Sequence, residues 1–333
     1  MSGVVATGIG SMPGGDVLAS EDANAREFTE AARIVFGELP DLPHLPELPG
    51  RGAGAAMTGR GAAVLSGLGA DLQPSGWRLT DAPGVDQRRA RSLLGRDLDT
   101  VEELGDGHTG SFKVQLIGPW TLAATLELPR GGAVVGDHGA RRDLAQSLAE
   151  GVRAHVADVR RRLGGVDDLI VQLDEPALPA VLGGEVPTAS GYGRLRSIDR
   201  PEASEVLGWV CAAVRDAGAE PVVHCCAGRP PIALVRGAGA AGVAVDLAVL
   251  DAGGLDELAE AVEAGDRVLL GAAPTTGAAS GDHVAETVAR TFDLLGIEPT
   301  ARLAITPACG LAGSDLSEDR RRLVACREAA ATF

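Results

Sequence analysis

A chain of 333 residues is long enough for one large barrel or two ordinary domains. Hydrophobic residues make up 45% and aromatic residues only 3%, so aliphatic side chains and alanine must fill the core. The formal charge of −16 argues against a nucleic-acid or anionic-membrane surface, and no segment reaches the roughly 18 uncharged apolar residues of a membrane span. The N-terminus lacks the basic and long apolar regions of a signal peptide. Five cysteines, an odd number, fit reduced cytoplasmic thiols better than a disulfide framework.

In chain order the pattern is strand, loop, helix, repeated. VVATGIG (4–10) opens as a strand, followed by a helix over 21–39. The Pro- and Gly-rich stretch 41–61 reads as a long loop before a short helix, GADLQPSGWRL (69–79) as a weak second strand, and 101–110 as polar and turn-like. FKVQLIGPW (112–120) is a clear third strand, and 140–164 a long amphipathic helix. The second half is more regular. DLIVQLDEP (168–176), EPVVHCC (220–226), GVAVDLAVL (242–250), RVLLGAAP (267–274) and RLAITPACG (302–310) are strands four to eight, each followed by a helix.

Eight strand–helix units in this length predict a (β/α)8 TIM barrel, taken as a single domain over residues 1–333; a doubly wound open sheet is the alternative. Polar residues recur at strand C-termini: Ser11, Asp174, His224, Cys226, Asp246 and Cys309. In a barrel those ends converge on one rim. His224 and Cys226 are two apart, so on a strand both point to one side while Cys225 points to the other. One imidazole, two thiols and a carboxylate make a tetrahedral donor set for zinc. A thiolate-rich zinc is suited to a thiol substrate, because coordination deprotonates sulfur near neutral pH while leaving it nucleophilic. Taken singly, the same residues also read as a core histidine and small buried thiols.

Five motifs in order resemble the catalytic C-terminal barrel of cobalamin-independent methionine synthase. They are Ile9-Gly10-Ser11-Met12-Pro13, Gly118-Pro119-Trp120-Thr121, Gln172-Leu173-Asp174-Glu175-Pro176-Ala177-Leu178, His224-Cys225-Cys226 and Cys309-Gly310-Leu311. The resemblance implies a zinc-dependent methyltransferase with a small-molecule thiol as acceptor, homocysteine foremost. It implies His224, Cys226 and Cys309 as ligands, with Asp246 where the family has a Glu. It assigns Asp174 to the substrate amino group as the candidate catalytic residue, and Ile9 and Ser11 to the substrate carboxylate.

The chain departs from the family at three places. No carboxylate stands around Met57-Thr58-Gly59-Arg60, where the family's second amino-binding Glu is expected. The family's Asp-x-His after strand seven is missing, and so is the N-terminal half that helps hold polyglutamylated folate. The methyl donor is therefore open between a methylfolate, a methylcorrinoid and another small donor. The competing functions are alkyl transfer to a different thiol, a decarboxylase of the uroporphyrinogen decarboxylase type, and a non-catalytic zinc-binding barrel. Arg51 and Arg60 read either as an anion grip or as surface charges, and Trp77 and Trp120 either as stacking platforms or as packing.

Overall fold

The computed structural model describes residues 3–333. Its strands are β1 (Val5–Ala6), β2 (Gly69–Gln73), β3 (Gly76–Thr80), β4 (Gly110–Ile117), β5 (Val166–Asp174), β6 (Glu220–Cys225), β7 (Gly242–Asp246), β8 (Arg267–Ala273) and β9 (Leu303–Pro307). Seven of them form one parallel sheet in the order β1-β9-β8-β7-β6-β5-β4. That order is the successive winding expected of a (β/α)8 barrel.

The eighth stave is the proline-rich segment 43–47, which the sequence reading assigned to a loop. On one side Leu45 N–H donates to Lys113 O and Lys113 N–H to Pro43 O, both at 2.9 Å. On the other, Glu47 N–H donates to Gly10 O at 3.0 Å and Met12 N–H to Glu47 O at 2.8 Å. These bonds tie β4 to the chain beyond β1 and close the barrel. Pro43 and Pro46 have no N–H to give, and they occupy positions from which this ladder takes none. Residues 42–48 are all buried, so burial along this stave shows none of the alternation that marks an ordinary strand.

GADLQPSGWRL is not a barrel strand. β2 and β3 pair antiparallel as a separate hairpin, with Gly69 opposite Thr80. The helix over Val85–Leu104 was likewise passed over. Its buried stripe runs Gln87, Ala90, Leu94, Asp97, Leu98, Val101, which is helical spacing disguised by two polar members.

The barrel interior is layered. Val5, Leu42, Ile170, Val222, Ala244, Leu269 and Ala304 make an apolar plug towards its base. Alternate residues further along the same strands are polar: Lys113 and Gln115 on β4, Gln172 and Asp174 on β5, His224 on β6. Register sets Gln115 beside Gln172 and Asp174 beside His224. The intervening residues, such as Val114, Val171, Val223 and Val245, face outward into the main core beneath the helices.

Candidate metal and thiol site

His224, Cys226 and Cys309 converge at the C-terminal rim, with their ligand atoms all within 4.8 Å of one another. β6 delivers His224, the residue just past its end is Cys226, and the turn after β9 delivers Cys309. His224 Nδ1 lies 3.1 Å from Ala244 O on the neighbouring strand. A carbonyl can only accept, so this contact places the proton on Nδ1 and leaves the Nε2 lone pair open. Nε2 is buried without a partner. The Sγ atoms of Cys226 and Cys309 are 2.6 Å apart. Their mutual hydrogen bond pushes the Cys226 thiol up and pulls Cys309 down. An orphaned imidazole nitrogen beside two crowded sulfurs fits a soft divalent cation, which would let both sulfurs be thiolate.

Asp246 ends β7 on the same rim but stands outside that group of three. Its Oδ1 accepts from Ala248 N–H at 2.9 Å, capping the short turn that follows. Asp251 is a helix cap as well, accepting from Gly254 N–H.

Ser11 reaches the thiols through the turn after β9. Leu311 N–H donates to Ser11 O at 2.8 Å, and a Cβ on Gly310 would stand 2.0 Å from Ser11 Oγ. Gly310 is therefore what lets Ser11 sit beside Cys309. Gly10, at φ +149°, serves the same end: a Cβ there would meet the Gln115 side chain at 2.7 Å. The Ile9 carbonyl accepts from Lys113 Nζ at 3.0 Å and Gln172 Nε2 at 2.9 Å. Asp174 is buried beside His224, and its Oδ1 accepts from Gln172 Nε2 at 2.7 Å. Burial pushes its carboxyl up, while Lys113 and His224 pull it back. Glu175, next in sequence, faces away. It accepts from Trp120 N–H, Thr121 N–H and Thr121 Oγ1–H at 2.7–2.8 Å, so its work is to cap the helix Pro119–Thr125.

A family model described as the catalytic domain of cobalamin-independent synthase matches residues 108–332. The chain belongs to this family. Membership makes it a methyltransferase of the homocysteine-methylating class. A search of curated proteins returns no match. Among solved structures, a B12-independent methionine synthase from a Shewanella species, in complex with selenomethionine, superposes with a TM-score of 0.65 at 14% identity, over 99% of this chain and 98% of that one. A GH5_18 protein from Streptomyces cattleya, in complex with GlcNAc, superposes at 0.49 and 13% identity, over 99% and 80%. The first comparison establishes the shared barrel fold.

Several functional candidates of this synthase-family chain were invisible in its sequence. Glu47 lay inside an apparent loop, and Lys113 and Gln115 were read only as part of a strand. Their signal was alternation: polar residues two apart in an otherwise apolar run point into the barrel, not into the helices. Arg51 and Arg60 prove to be neither an anion grip nor surface charges. Arg51 makes a bidentate pair with Asp97 at 2.7 and 2.8 Å, and Arg60 joins Asp97 and Glu47 at 3.3 and 3.0 Å, all of them buried or nearly so. Trp120 is fully buried, with its indole N–H on Ala203 O, which makes it packing.

Proposed function

We propose that this chain methylates the sulfur of homocysteine at a zinc centre held by His224, Cys226 and Cys309. The observation that carries the reading is the buried, unpartnered Nε2 of His224 beside the two thiols. Asp246 is the proposed fourth ligand; where its turn-capping bond holds, it acts instead as a nearby carboxylate orienting the site. Zinc bound there supplies a Lewis acid that lowers the pKa of a thiol joining it from its ordinary value near 8.5.

The chain's own residues orient the acceptor. Asp174 takes the substrate amino group, while the Ile9 main chain and the Ser11 hydroxyl take its carboxylate. Ala244 O keeps the Nδ1 proton of His224 in place, so Nε2 remains a donor of electrons. With zinc held there, the acceptor thiol would release its proton to bulk water on binding. Its sulfur then attacks the methyl carbon in line: an S–C bond forms, the bond from that carbon to the donor breaks, and the donor leaves with the electron pair. The lack of the family's Asp-x-His after the seventh predicted strand, where Pro274-Thr275-Thr276 stands, supports a donor other than polyglutamylated methylfolate, either a methylcorrinoid or another small methyl carrier.

Metal analysis of the parent protein and of Cys309→Ser tests the centre. We expect about one zinc per chain in the parent and a loss of at least tenfold in affinity in the variant. Undiminished zinc in Cys309→Ser would remove the site. A donor panel of methylfolate polyglutamate, methylcobalamin and sulfonium compounds, each with homocysteine, tests the donor. Efficient turnover with the folate would refute the donor reading alone.

A further inference from the structure

Of the three proposed ligands, Cys309 is the one without a strand to hold it. His224 lies within β6, which is paired on both sides, and Cys226 follows directly. Cys309 stands two residues past the end of β9, in a turn with few bonds of its own. Ala308 N–H donates to Ala273 O at 2.8 Å, Leu311 N–H to Ser11 O at 2.8 Å and Ser314 N–H to Leu311 O at 3.1 Å. The far end of the turn is tied to the helix Leu316–Ala330. Ser314 Oγ donates to Asp319 Oδ1 and accepts from Arg322 Nη1 at 3.1 Å.

Arg322 serves a second loop as well. Its Nη2 donates to Gly277 O at 3.2 Å, in the loop 274–280 after β8, the strand beside β9. Among the described residues, no other hydrogen bond ties residues 274–279 to the rest of the chain. The same guanidinium lies 3.2 Å from Asp319 Oδ1 and 3.2 Å from Glu318 Oε2. Arg322 is 2% exposed and Asp319 not at all, yet Arg322 Nε and Asp319 Oδ2 have no partner. A buried ion pair with an orphaned atom on each side adds little to stability, and apolar residues of the same volume often do better. Nor does the helix need the pair in order to dock, since Leu323, Cys326, Ala329 and Ala330 are buried along it. What a planar fork supplies, and apolar packing does not, is direction: it holds two loops at fixed distance and angle.

We propose that Arg322, with Asp319 as its counter-ion, is a positioning residue for the thiol site. Through Ser314 it sets the turn that presents Cys309, and through Gly277 it sets the neighbouring loop. The proposal rests on the zinc reading of that site and deepens it by naming what aims the third ligand. Arg322 acts through the turn and needs no contact with metal or substrate. Its loss should be felt at Cys309, because the pairing of β6 on both sides holds the other two ligands independently.

Zinc affinity by competition with a chelating dye, and the thiolate-to-cobalt charge-transfer band of cobalt(II)-loaded protein, read the site without substrate or methyl donor. Ser314→Ala cuts the link to the turn and leaves the buried ion pair in place. It should weaken zinc by about tenfold, as loss of a group behind a metal ligand typically does, and diminish the cobalt band. Ser314→Thr keeps the hydroxyl and should restore both. Arg322→Lys keeps the charge, but one ammonium does not reproduce the fork, so zinc should weaken there too. A merely structural role lowers the unfolding midpoint and moves neither metal readout. Unchanged zinc affinity and cobalt band in Ser314→Ala, or in a folded Arg322→Lys, overturn the proposal and leave the zinc centre standing. Where Arg322→Lys does not fold, Ser314→Ala decides alone. A parent chain that binds no zinc overturns both.

Discussion

His155 shows how burial changes what a single side chain does. It sits on the buried face of the helix His138–Arg162 with Nε2 unpartnered. Burial first, and then the Arg60 guanidinium, push its pKa from 6.5 down to about 4. The folded chain therefore keeps it neutral through a window in which the unfolded chain binds a proton. Stability contributed here is present above pH 6.5 and falls as the pH drops from 6.5 towards 4. The loss approaches about 3 kcal/mol at the acid end of that window. Urea midpoints of the parent and of His155→Gln across this range check the point. The parent's midpoint should fall more steeply than the variant's, and parallel slopes would assign the acid sensitivity to other groups. Lys113 meets the same burial with partners: burial pulls its pKa from 10.5 down to about 7, the Asp174 and Glu47 carboxylates oppose that pull, and its protons point at three fixed oxygens.

Single elements are held by buried polar side chains where apolar pattern alone is weak. Gln87 is fully buried on the helix Val85–Leu104. Its Oε1 accepts from Ala70 N–H at 3.0 Å, and its Nε2 donates to Ala62 O at 2.9 Å and Leu68 O at 3.1 Å. One amide thus ties the β2–β3 hairpin and the helix Met57–Val64 to the helix Val85–Leu104. Gln87→Ala leaves a donor and two acceptors unsatisfied and opens a cavity. We expect a loss of about 2–4 kcal/mol, read as a shift in the chemical unfolding midpoint. A change below about 0.5 kcal/mol would show that water replaces the amide there. The stave 43–47 follows the same logic. It has few N–H groups to offer, and the side chain of Gln115 adds a bond to Leu45 O that the backbone ladder alone does not supply.

At the scale of the whole molecule, the proposed metal would join β6 to the turn after β9, strands separated in the sheet by β7 and β8. Binding to the folded state alone stabilises it by mass action, by about 2.7 kcal/mol at a hundredfold excess over Kd. For a chain of this size, zinc at that excess should raise Tm by a few degrees. Scanning calorimetry of chelator-treated protein with and without added zinc checks this, with Cys309→Ser as the comparison. An equal rise in the variant would mean that zinc stabilises the protein elsewhere. Among the described residues no helix is long and apolar enough to cross a membrane.

The sequence by itself determined the barrel's second half, the position of each polar strand end and the face that His224 and Cys226 share. Those features follow from local rules: apolar runs of strand length, a period of two, and glycine or proline at the turns. It did not determine the proline-rich stave 43–47 or the separate hairpin. A segment with proline at 40, 43, 46 and 49 violates strand propensity, and only the edges left open by β1 and β4 draw it into isolated parallel bridges. Nor did it determine what the polar interior does. Glu47, Lys113, Gln115, Gln172 and Asp174 lie up to 127 positions apart in the chain, and of the five only Gln172 and Asp174 stand in a motif that marks them. Their meaning lies in which atom donates to which. That is decided only when closure of the barrel buries five side chains from three staves together, where their polar groups must pair with one another.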